Sequence, residues 1–92
     1  MANILVELPA ALQPLAGGQS ELTLAGECVG DVLHALQESH RAVGQRVLTR
    51  GGALRSHVNV FIDEDDIRHL QGLETAVAGY RRLVIVPSVA GG

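Results

Sequence analysis

Apolar and polar side chains alternate over residues 3–8, placing Ile4, Val6 and Leu8 on one face and Leu5 and Glu7 on the other, as in a strand with one buried side. Pro9, Pro14 and Gly17-Gly18 then break any regular element, and alternation resumes at Glu21-Leu22-Thr23-Leu24, which predicts a hairpin with a long connection. From Val29 the period changes. Val29, Val32, Leu33 and Leu36 follow the i, i+3, i+4, i+7 spacing of an amphipathic helix over residues 29–40. Asp31 in the first turn complements the helix dipole, and His40-Arg41 with Gly44 beyond predicts the end. Residues 43–48 are expected to add a short helical turn before a loop at Thr49-Arg50-Gly51-Gly52.

A third strand is predicted over residues 57–63, with Val58, Val60 and Ile62 on one side and Asn59, Phe61 and Asp63 on the other. The acidic run Asp63-Glu64-Asp65-Asp66 is read as a solvated hairpin tip, returning through Ile67-Arg68-His69-Leu70. Such a run lacks the glycine and terminal glutamate of a calcium loop. A helical turn at residues 74–77 and a turn at Gly79 lead to a last strand over residues 82–87. The order β-β-α-β-β-β predicts an α+β domain, a mixed sheet with one main helix on one face. Parallel pairing of the first and last strands would need a long crossover, part of which the helix supplies. That arrangement is the β-grasp, or ubiquitin-like, fold.

Composition narrows the function. Ninety-two residues suffice for one two-layer core but not for a deep two-domain cleft, which favours a carrier or binding role. One Phe, one Tyr and no Trp make the core aliphatic and leave no platform for stacking bases. Ten acidic against seven basic residues argue against a nucleic-acid partner. A lone cysteine, Cys28, and the absence of a signal-peptide pattern lead us to expect a reducing, cytoplasmic location. The apolar runs are far shorter than a membrane helix requires, so no membrane association is expected. All seven basic residues are arginine, so the chain offers no lysine to which its own C-terminus could be joined.

The last residues are Val89, Ala90, Gly91 and Gly92, which follow the final strand directly. Two glycines make a tail narrow enough to thread a partner's tunnel and present a carboxylate. Residues 1–87 are accordingly expected to form the domain and residues 88–92 a flexible Gly-Gly tail, whose extended reach is roughly 17 Å at 3.3–3.6 Å per residue.

The strand and acidic turn Val58-Asn59-Val60-Phe61-Ile62-Asp63-Glu64-Asp65-Asp66-Ile67-Arg68, the stretch Gly72-Leu73-Glu74-Thr75-Ala76-Val77, and the ending Val84-Ile85-Val86-Pro87-Ser88-Val89-Ala90-Gly91-Gly92 resemble the ubiquitin-like sulfur carriers (ThiS/MoaD-like). With the opening strand and helix, the resemblance covers nearly the whole chain. Within the family the chain looks most like the cysteine-pathway carrier of actinobacteria; the small subunit of molybdopterin synthase and a ubiquitin-like protein modifier are the alternatives. One departure concerns the turn before the last strand, where family members often have Gly-Asp and this chain has Gly79-Tyr80.

The resemblance implies a co-substrate rather than an enzyme, with no catalytic residue, bound cofactor or metal. An E1-like adenylating enzyme would use ATP to activate the Gly92 carboxylate, and sulfur would then replace the adenylate to leave a thiocarboxylate. Val89, Ala90 and Gly91 would thread the partner. A sulfur-acceptor enzyme, such as a cysteine synthase or a thiazole or thiosugar synthase, would take the sulfur; in the cysteine branch a JAMM-type metalloprotease releases the product. On the sheet face opposite the helix, Leu5, Phe61, Val84 and Val86 form a candidate docking patch. Arg81 and Arg82, with Arg68, are candidates for pairing with an acidic partner surface. Cys28 reads as a small packed residue, and His34, His40, His57 and His69 lack metal-ligand spacing.

Overall fold

The computed structural model describes residues 2–87. The expected tail, with Val89, Ala90, Gly91, Gly92 and the domain boundary drawn at residue 88, lies outside the described residues. The strands are β1 (Ala2–Glu7), β2 (Glu21–Gly26), β3 (Val58–Ile62), β4 (Asp65–Asp66) and β5 (Arg82–Pro87), and the α-helices are α1 (Val29–Ser39) and α2 (Arg41–Val47). They form one five-stranded sheet in the order β2-β1-β5-β3-β4. β1 and β2 are antiparallel from Ala2 opposite Gly26 to Glu7 opposite Glu21. β5 lies parallel to β1, with Leu5 opposite Arg82 and Glu7 opposite Val84, and antiparallel to β3, with Val58 opposite Pro87 and Ile62 opposite Leu83. Parallel neighbours cannot be joined by a tight turn, so the chain between Glu7 and Arg82, helices included, serves as the crossover. The fold is the β-grasp.

Alternation along the strands decides which face is covered. Ile4 and Val6, Val58, Val60 and Ile62, and Leu83 and Ile85 point to the helical side and are buried against Val29, Val32, Leu33 and Leu36 of α1 and Val43 and Val47 of α2. Each such aliphatic side chain contributes about 1.5–3 kcal/mol relative to exposure, which lets a core without Trp hold the layers together. Leu8, Leu12 and Ala16, from the connection after β1, join the same cluster. The long connection carries one turn of 3₁₀ helix over Gln13–Ala16.

The start of α1 depends on distant residues. Asp31 accepts from the backbone N–H of Glu27 at 3.2 Å, a local cap that its place in the first turn foreshadows. The N–H of Val29, which a helix leaves unpaired, donates to the carbonyl of Thr75 at 2.9 Å, and the N–H of Val77 donates to Glu27 at 3.1 Å. A bridge between Cys28 and Ala76 closes the same junction.

Three local expectations need correction. Residues 41–47 form a complete helix, α2, in which Gly44 is buried and internal rather than a stop signal. A Cβ there would lie 2.4 Å from the Cα of Gln37, so the glycine permits the close approach of α2 to α1. The return after the acidic turn is a two-residue strand followed by a 3₁₀ turn, Ile67–His69, because the Asp66 side chain caps the Arg68 N–H at 2.9 Å and draws the chain into a turn. The helical turn expected at residues 74–77 lies at Gly72–Glu74, since Thr75 and Val77 are held extended by the Val29 and Glu27 bonds just described.

Candidate functional site

The sheet face turned away from the helices holds the predicted docking residues. Phe61 of β3 lies opposite Val84 of β5, and Glu7 of β1 lies opposite Val84 on its other side. Leu5 lies opposite Arg82, and Asn59 opposite Val86. The fold therefore brings Leu5, Phe61, Val84 and Val86 onto one face from three strands. Leu5, Phe61 and Val84 are half-buried and Val86 is exposed at 36%. The patch is broken by polar neighbours, chiefly the ion pair between Arg82 and Glu7 that joins β5 to β1. An apolar strip with charged residues inside it suits reversible docking better than permanent burial.

The arginines divide unevenly. Of the three arginines named as candidates for an acidic partner surface, Arg82 pairs with Glu7, and Arg68 with Asp66 at 2.8 Å. Arg81 is exposed. Arg81 and Arg82 line an open cleft of about 700 Å³ with Asp63, Glu64, Asp65, Tyr80 and Val84. Asp63 takes the left-handed conformation, with φ of 55°, and its carboxylate accepts the backbone N–H groups of Arg81 and Arg82, each at 3.1 Å. These bonds fix the start of β5 against the end of β3, where the Gly79-Tyr80 turn delivers it.

The acidic run is correspondingly not a uniform solvated tip. Asp66 is buried, and hydrogen bonds from the Arg68 side chain, then from its backbone N–H, hold the carboxyl at about 2, well below its ordinary range. The guanidinium of Arg68 is pushed up in turn by the same contacts.

At the opposite end of β5, where the chain leaves the described fold, two hollows flank Pro87. One of about 290 Å³ is lined by Glu7, Leu8, Pro9 and residues 84–87. The other, of about 160 Å³, is bounded by Pro9, Ala11, Leu12, Arg46, His57, Val58, Ile85 and Pro87. Arg46 was not singled out from sequence, and His57 was weighed there only as a metal ligand. Their signal was available as a stretch of chain without carboxylates, but a net charge summed over all residues conceals it.

The ThiS family model matches residues 6–92 of the chain. The chain belongs to the ThiS family. This ThiS-family chain is 33% identical to the sulfur carrier protein CysO of Mycobacterium tuberculosis, over 98% of its own length and 99% of that protein's. The crystal structure of the same CysO superposes with a TM-score of 0.84, covering 94% of this chain and 99% of the other at 30% identity. Small archaeal modifier protein 1 (SAMP1) from Methanosarcina acetivorans gives a TM-score of 0.88 at 37% identity, with 100% of this chain and 98% of that one covered. The CysO structure in the Amycolatopsis orientalis BexX/CysO complex gives 0.84 at 30% identity, covering 97% and 99%. This ThiS-family chain is thus a ubiquitin-like member of a sulfur-carrier family. Among its described residues no helix is long and apolar enough to cross a membrane.

Proposed function

We propose that the chain is a sulfur carrier whose Gly92 carboxylate is converted to a thiocarboxylate that supplies sulfur to a biosynthetic enzyme, with cysteine as the favoured product. The observation that carries this reading is the family match running through to Gly92, five residues beyond the end of β5. A carboxylate is a poor electrophile because oxide does not leave. An E1-like enzyme would let a Gly92 oxygen attack the α-phosphorus of ATP, releasing pyrophosphate and forming an acyl-adenylate. A sulfide-level nucleophile then attacks the carbonyl carbon and expels AMP. The ionised thiocarboxylate sulfur is the donor, and the likeness to CysO favours an acceptor that makes cysteine.

In this reading the chain supplies no catalytic group. Val89, Ala90 and Gly91 thread the partner's passage, Gly92 carries the sulfur, and Leu5, Phe61, Val84 and Val86, flanked by Arg81 and Arg82, dock the body of the domain. The fixed start of β5 holds that face as a rigid handle while the tail reaches the chemistry. The likeness to the A. orientalis BexX/CysO complex favours a carrier that binds its acceptor directly.

The test is the mass of the intact protein after incubation with ATP, sulfide and the adenylating enzyme of the source organism. A gain of about 16 Da, oxygen exchanged for sulfur, is expected on the C-terminal peptide. An unchanged mass, or a gain elsewhere in the chain, would overturn the reading. The likeness to SAMP1 favours a second reading, a protein modifier. That reading predicts residues 83–92 attached to lysines of other proteins after trypsin digestion, since Arg82 is the last basic residue.

A further inference from the structure

Charge is segregated along the chain. Residues 39–62 contain Arg41, Arg46, Arg50 and Arg55, together with His40 and His57, and no Asp or Glu. The rest of the chain holds the other three arginines and all ten carboxylates, a balance of −7 against +4, although the whole sums to −3. The fold turns this linear bias into a spatial one. Arg46 and His57 border the hollow that Pro87 closes, so positive charge stands where β5 leaves the domain. Arg55 folds back beside them, its Nε donating to the carbonyl of Gln45 at 2.7 Å. The cleft at the other end of the β3–β5 pair, roughly 13 Å away at about 3.3 Å per residue, sets Asp63, Glu64 and Asp65 against Arg81 and Arg82 and so lacks this uniform sign.

Among the described residues none of these four arginines pairs with a carboxylate. The ion pairs among the described residues are His34–Glu38, Asp66–Arg68 and Glu7–Arg82, and Arg41, Arg46 and Arg50 are exposed. Uncompensated charge adds little to folding, but it orients an approaching partner over about a Debye length, roughly 10 Å at 0.1 M salt. We propose that the basic surface formed by α2 and the chain to His57 docks an acidic protein surface beside the passage that receives the tail. This inference rests on the carrier reading above and adds to it the polarity of the approach. The basic end meets the partner's carboxylates first, which brings the Pro87 end of β5 toward the partner. A polyphosphate partner is disfavoured because ten carboxylates on the same small domain oppose it.

The experiment compares two double variants that change net charge equally. Arg46→Gln/Arg50→Gln neutralises the basic end. Ala78→Glu/Gln71→Glu adds the same negative charge at exposed positions that share a hollow with Tyr80, at the end of the opposite cleft. ATP–pyrophosphate exchange is measured with the adenylating enzyme of the source organism, and circular dichroism confirms folding. At low salt the arginine variant should lose about five- to tenfold in kcat/KM with kcat unchanged, the gap closing at about 0.5 M salt, while the glutamate variant stays within about twofold of wild type. Equal losses in both variants, or none in the arginine variant, would overturn the surface while leaving the carrier reading intact. Absence of exchange by the wild-type chain would overturn the carrier reading and this inference with it. Arginine-dependent binding of a labelled DNA duplex, with exchange unaffected, would assign the surface to nucleic acid instead.

Discussion

Asp66 shows how far a single residue departs from its neighbours in sequence. It ends a run of four acidic residues, yet it is buried and accepts from Arg68 Nε, Nη2 and backbone N–H. Its carboxyl titrates at about 2 when folded and at 3.8 ordinarily. A folded value below the unfolded one stabilises the protein above about pH 4, and that contribution is lost as pH falls toward 2. Asp66→Asn should therefore have a lower urea midpoint than wild type at neutral pH, the two converging as pH drops from about 4 to about 2. A gap that stays constant across that range would show that the carboxylate charge is immaterial. The Asp-x-Arg spacing was visible in the sequence, but a string of acids on a hairpin reads as solvated until burial is known.

At the level of elements, periodicity was a sound guide wherever one face met the core. The stripe Val29, Val32, Leu33, Leu36 is fully buried as the 3.6-residue period requires, and the alternation of β1, β3 and β5 separates covered from open faces. It failed where no repeat length was available. β4 is two residues long, the turn after it is set by an Asp66 cap, and Thr75 and Val77 are held by the N-terminus of α1. Gly44 misled because a glycine that ends a helix and one that lets two helices touch look identical in sequence. The outer face carries the element-scale prediction. Phe61 is half-buried and sits on the side without helices, so Phe61→Asp should reduce affinity for the adenylating enzyme by about tenfold or more while the urea midpoint changes little. Titration calorimetry with the purified variant reads the first quantity; unfolding of the variant would place Phe61 in the core and remove the docking assignment.

For the whole molecule the decisive contact is the parallel pairing of β1 and β5, which joins Leu5 to Arg82 across most of the chain. It makes the last strand central, so anything attached beyond Pro87 is anchored to the most constrained part of the sheet. A tail used for threading needs that contrast between a fixed root and a narrow end. Gly91→Val adds width and restricts the backbone at a residue outside the described domain. It should abolish pyrophosphate exchange, and the circular dichroism melt should match wild type. Normal exchange by this variant would show that the passage does not select for a thin tail.

The sequence by itself determined the aliphatic core, the strand and helix periods, the resemblance to sulfur carriers and the glycine pair at the end, because each depends on residues near one another along the chain. Only the tertiary structure decided which side of the sheet remains open, that Glu7 takes Arg82, and that Arg46 and His57 border Pro87. Those facts depend on pairings between distant segments. Sequence fixes the charge that each segment carries, and register and packing fix where those charges meet.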